Sequence, residues 1–146
     1  MAKQAMIKGL NRHIANHAVF YQKLRNYHWN VSGPAFFQLH AKFEEMYLRT
    51  AEEIDTLAER VLALGERPVS TMAEFLEMSN LSEDSRVPNS SQMVGNLVED
   101  IQALLKINQS ARKEAEGIAD DTTVNLLDDI AEVIEQDAWM LRAWQG

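Results

Sequence analysis

The sequence contains no cysteine. Disulfides, thiolate-held metals and a cysteine nucleophile are thereby excluded. The absence fits a cytoplasmic protein, and that is the compartment we expect. Proline occurs only three times, at Pro34, Pro68 and Pro88, so long helices meet few interruptions. No apolar run approaches the length of a membrane span. Residues 1–9 show neither an apolar stretch nor a small-residue cleavage pattern, and we expect no signal peptide. Positive charge is also scarce: 14 Lys and Arg stand against 22 Asp and Glu, a net charge of −8. A phosphate-binding surface needs a basic patch or tail to displace counterions. The start of the chain offers only Lys3 and Lys8, and its last residues, Trp144-Gln145-Gly146, are uncharged. Direct DNA binding is therefore not expected.

What is present points to helices. The 146 residues are 46% hydrophobic, enough for one globular domain spanning 1–146. Ile7, Leu10, Ile14, Val19 and Leu24 recur at three- to five-residue steps and predict a helix over 3–31. Ser32-Gly33-Pro34 ends it. A second helix is predicted over 36–64, carrying Leu39, Phe43, Met46, Tyr47, Ile54, Leu57, Val61 and Leu64, with Gly65 as its stop. Ser70-Thr71-Met72-Ala73-Glu74 has the pattern of a helix start, and a short helix is expected to about Met78. After a polar loop, Ser90 or Ser91 opens a third long helix reaching Gly117. Asp121 or Thr122 opens a fourth, reaching about Ala143. No strand pattern is seen. The fold class is all-α: a four-helix bundle with a short extra helix in the long connection between the second and third long helices.

The ligand-type residues are unevenly placed. The four histidines are at 13, 17, 28 and 40, none of them in the last two helices. No Glu-x-x-His pair of the kind that lines metal-binding bundles is present, so a metal centre inside one bundle is not expected. His13 and His17 are four apart, a spacing that can bind zinc or copper, but no carboxylate lies nearby in sequence; a solvated helix face is the expectation. His28 and His40 flank the first turn and can share one end of a hairpin. Asp55 and Glu59 are four apart on one face of the second helix and can grip one cation. Imidazole with carboxylate suits iron, zinc or manganese. His40 and Asp55, however, lie about 22 Å apart along one helix, and metal–ligand bonds are about 2 Å. Either the two pairs are unrelated, or they meet across an interface. Antiparallel second helices in a two-fold dimer would bring His28 and His40 of one chain to Asp55 and Glu59 of the other, giving two identical sites.

Nine carboxylates fall within residues 114–137, without a Lys or Arg. The run reads as a solvated helix face, or as a surface that gathers cations. The methionines, and Tyr21, Tyr27, Tyr47, Trp139 and Trp144, are read as packing residues. Arg25 and Arg60 are candidates to pair with carboxylates near the metal ligands.

Two dense motifs carry a resemblance. His28-Trp29-Asn30-Val31-Ser32-Gly33-Pro34, Phe36-Phe37-Gln38-Leu39-His40 and Phe43-Glu44-Glu45 resemble the Dps family, the miniferritins. Ile54-Asp55-Thr56-Leu57-Ala58-Glu59-Arg60 is similar to the family's second motif, and Trp139-Met140-Leu141-Arg142-Ala143 to the end of its last helix. The resemblance implies a ferritin-like fold and a ferroxidase acting on iron (Fe2+/Fe3+), with hydrogen peroxide or oxygen as oxidant. It implies ferric mineral stored inside a dodecamer built from dimers, and protection against oxidative stress. It makes His28 and His40 the iron-binding histidines of one subunit, Asp55 and Glu59 the carboxylates of its neighbour, Glu44 an acidic residue near the second metal position or in its hydrogen-bond shell, and Trp29 a flanking residue. Carboxylate-lined pores are implied near the start of the last helix, with Asp120, Asp121 and Asp129 as candidates; Asn125 stands where a further carboxylate is expected. The alternatives are a DNA-binding nucleoid protein and a helical scaffold without iron chemistry, which would have no need of the two histidines and two carboxylates together.

Overall fold

A computed structural model describes residues 2–146 as five helices: α1 (Ala2–Asn30), α2 (Phe36–Ala63), α3 (Met72–Met78), α4 (Ser90–Gly117) and α5 (Asp121–Gln145). No strand occurs among the described residues. The ends follow local chemistry. Gly33 and Gly65 take φ of +97° and +91°, the left-handed region that glycine enters without a Cβ clash. Thr71 and Glu74 form a capping box at α3, and Asn89 with Gln92 forms another at α4. Asn89 is thus the cap, and α4 opens at Ser90 as expected. Asp120 caps α5, accepting from the Thr123 N–H at 3.1 Å.

The apolar residues picked out by periodicity build the core. Leu10, Leu24, Phe43, Leu57 and Val61 are at most 0% exposed, and Ile14 and Leu39 are 1% and 2%. Pairings along the helices fix their directions. Gly9 abuts Ala111, and Tyr27 reaches Asn96, so α1 and α4 run antiparallel. Lys42 contacts Asp137 and Arg60 contacts Asp120, so α2 and α5 do likewise. With α1 and α2 joined by a short turn, the order is up-down-down-up. That topology requires the long α2–α4 crossover, in which α3 lies against α1.

Polar residues of α1 tether the crossover. Buried Asn16 accepts from the Asn80 and Leu81 N–H groups at 2.8 and 3.0 Å. The Tyr27 hydroxyl donates to Asp84 at 2.6 Å. This bond, with those from Arg86, holds the Asp84 carboxyl down at about 2, against the opposing effect of burial. The clasp closes one residue before His28, so it fixes the end of α1 that carries the first candidate ligand.

Two expectations are corrected here. His13 and His17 do not lie on a solvated face; both are 0% exposed. The reason is that α1 packs against α2, α3 and α4 at once, which leaves no solvent stripe at these positions. Nor does Arg25 pair with a carboxylate near the metal ligands. Arg25 stacks over the Tyr21 and Trp29 rings at 5.2 and 4.9 Å. Arg60 bonds Asp120 and Thr123, joining α2 to the start of α5.

Candidate metal centre

His28 ends α1, His40 begins α2, and the five-residue turn between the helices brings their rings together. The rings stack at 3.8 Å with an interplanar angle of 12°. Each Nδ1 lies 2.7 Å from the other residue's backbone carbonyl. A carbonyl only accepts, so both Nδ1 atoms carry the proton. In the neutral rings this leaves both Nε2 lone pairs free for a cation, the tautomer control that backbone carbonyls commonly exert on metal-binding histidines. Phe36 stacks on His40 at 4.8 Å, and Tyr47 meets His28 edge-on at 5.3 Å. These two rings fix the imidazole planes. Spacing hinted at them, since Phe36 precedes His40 by one helical turn and Tyr47 follows it by two, but no reading of the sequence predicted the reciprocal carbonyl bonds.

Glu44 lies one turn beyond His40. Its Oε1 is 3.8 Å from His28 Nε2, too far for a hydrogen bond and close enough to share a bound ion. Trp29, next to His28 in the chain, is 57% exposed. At the other end of α2, Asp55 and Glu59 are both exposed and adjacent. A hydrogen bond with Asp55, and then its charge, raise the Glu59 carboxyl above its usual range. Two carboxylates this close oppose each other's ionisation.

The structure therefore brings together His28, His40 and Glu44, and separately Asp55 and Glu59. Among the described residues of one chain, no three His, Asp or Glu side chains form a metal-binding cluster. Of the pore candidates, Asp121 and Asp129 are exposed, while Asp120 is occupied. Burial pushes its carboxyl up, but bonds from Thr123 and Arg60 prevail and hold it low. The acidic run is also less free than its composition suggests. Asp137 is buried and bonded to Lys42 and Arg49, and Asp128 pairs with Arg112.

Bundle topology and the histidine pair define a ferritin-like protein, and the ferritin-like domain family matches residues 7–146. Among relatives, the DNA protection during starvation protein of Brevibacillus brevis is 44% identical over 92% of this chain and 91% of its own length. The crystal structure of a Dps protein from Bacillus brevis superposes with a TM-score of 0.97 at 41% identity, covering 99% of this chain and 97% of that one. A Dps protein from Vibrio cholerae O1, described as a member of a broad superfamily of ferritin-like diiron-carboxylate proteins, gives a TM-score of 0.95 at 35% identity, covering 99% and 91%. The chain belongs to the Dps family of ferritin-like proteins. Among the described residues no helix is long and apolar enough to cross a membrane.

Proposed function

We propose that this protein is a cytoplasmic ferroxidase and iron store whose catalytic centre is shared between two subunits. The observation that carries the reading is the His28–His40 pair, whose mutual Nδ1–carbonyl bonds present two Nε2 lone pairs side by side. Asp55 and Glu59 of a two-fold mate would complete the ligand set. Fe(II) is the substrate, and mixed imidazole and carboxylate donors suit it. Hydrogen peroxide is the proposed oxidant: two Fe(II) give up one electron each, and one peroxide takes both with two protons to form two waters. Carboxylates favour the more highly charged product, so the ligand set drives the oxidation forward. Few protein ligands hold the ion, which lets the ferric product move on to mineral inside a hollow dodecamer. Exposed Asp121 and Asp129 would draw Fe(II) toward that cavity.

The names of relatives refer to DNA protection. For this chain we read protection as chemical, through removal of iron and peroxide together. A net charge of −8 per subunit repels phosphates.

Stopped-flow Fe(II) oxidation tests the reading. His28→Ala/His40→Ala should slow oxidation by at least the roughly 10–100-fold that loss of a mere supporting residue costs a metal site. Rates equal to wild type would leave the helical-scaffold reading standing instead.

A further inference from the structure

The bundle interior holds a cluster that the shared centre does not use. His17 is 0% exposed, and neither of its ring nitrogens has a hydrogen-bond partner. Glu53, on α2, is 8% exposed, and its Oε1 is likewise unpartnered. Buried polar atoms are rarely left so, and each case calls for a ligand, an ion or a water. The two orphaned atoms face each other: His17 Nε2 stands 3.5 Å from Glu53 Oε1. That exceeds an ordinary N–H···O distance of about 2.7–3.2 Å. It matches the roughly 3.4 Å edge of a tetrahedron with bonds of about 2.0–2.1 Å to a central ion.

We propose that His17 Nε2 and Glu53 Oε1 form an intra-subunit site for a divalent first-row transition ion. The donor set, one imidazole and one carboxylate, suits iron, cobalt, nickel or zinc. The neighbouring histidine brings no charge against a cation there. His13 meets His17 edge-on at 4.5 Å, and its Nε2 accepts from Asn108 at 3.0 Å. With Nε2 accepting, His13 carries at most one ring proton and adds no positive charge. Arg49, one turn before Glu53 and on the same cleft, gives its terminal nitrogens to Glu45 and Asp137, while its Nε is buried without a partner. Glu53 also borders a cleft of about 560 Å³ between α2 and α5, together with Glu52, Thr56, Asn125 and Asp129. The cleft reaches Glu53 and not His17, so in this proposal the ion and its waters enter from the Glu53 side. No sequence pattern announced the site, because its two donors lie on different helices, 36 positions apart.

The site belongs to one chain, so it stands whether or not the shared centre does. The test therefore uses the assembled protein with His28, His40, Asp55 and Glu59 all changed to Ala. Titration with Co(II) should give visible d–d bands at one ion per chain. Adding Glu53→Gln, which keeps the shape of the side chain, should weaken that binding tenfold or more, and His17→Gln should do the same. A wild-type crystal soaked in Zn(II) should show an anomalous peak between His17 and Glu53, a readout independent of whether the variants fold. An ordered water without anomalous signal at that position would overturn the proposal. Co(II) bands unchanged by Glu53→Gln in a correctly assembled protein would overturn it too.

Discussion

If the centre is shared, two defective subunits should repair each other, and the yield can be worked out. His28 and His40 sit at the α1–α2 turn, and Asp55 and Glu59 sit about 22 Å down α2, so each subunit contributes to two different sites. Consider one chain carrying His28→Ala/His40→Ala and another carrying Asp55→Ala/Glu59→Ala. Alone, each assembles shells in which every site lacks one pair. Co-expressed in equal amounts, random pairing makes half of the dimers mixed. A mixed dimer has one site with both pairs missing and one site with both pairs intact. One quarter of all sites should then be whole, and the initial rate of Fe(II) oxidation should recover to about a quarter of wild type. The two copies would carry different affinity tags, so that mixed shells can be isolated and their composition checked by mass spectrometry. Mixed shells no faster than either parent would refute the shared centre, even if both parents are inactive. A parent that keeps the full rate would remove its residue pair from the site altogether.

Further outcomes follow from the packing. Tyr27→Phe deletes a buried bond to a charged group and should cost about 1.5–3 kcal/mol, read as faster hydrogen exchange in residues 82–86; protection unchanged from wild type would dismiss the clasp. Because the folded Asp84 carboxyl is held at about 2, below its ordinary 3.8, the stabilisation is present above about pH 4 and fades as pH falls toward 2, so wild type and variant should converge in acid. Asp120→Ala removes the α5 cap and the partner of Arg60 together, a loss of about 2–3 kcal/mol, whereas the exposed Asp121→Ala should stay within about 0.5 kcal/mol; equal thermal midpoints at one protein concentration would contradict this. In a gel-shift at low salt, plasmid DNA should run unretarded with the wild-type shell, and a retarded band would overturn the charge argument.

Much of this was legible in the sequence, for identifiable reasons. The long helices showed because their apolar residues repeat with the helical period, and because Gly33 and Gly65 mark their ends. The His28–His40 convergence showed because a short turn leaves two helices no other way to pack. The tautomer of the pair did not show, since it depends on backbone carbonyls whose positions only the folded hairpin sets. His13 and His17 misled for a related reason. A polar pair on a helix reads as solvated, and periodicity gives no hint that α1 would be covered on three sides. The capping role of Asp120 did not show, because a cap and a pore lining draw on the same residue type.

One helix, α2, carries both metal-binding proposals, and its geometry keeps them apart. Asp55 and Glu59 share a face because four residues turn a helix by about 400°, nearly a full repeat. Glu53 precedes Asp55 by two residues, about 200° around the axis, and so points to the opposite side. The exposure agrees: Glu53 is buried toward α1, and Asp55 and Glu59 are exposed. The helix itself therefore separates an outward pair, which the proposed centre would join to a second subunit, from an inward carboxylate, which already faces His17. Removing the outward pair should leave Glu53 and its imidazole partner in place, and that independence is what allows metal binding at the two sites to be measured one at a time.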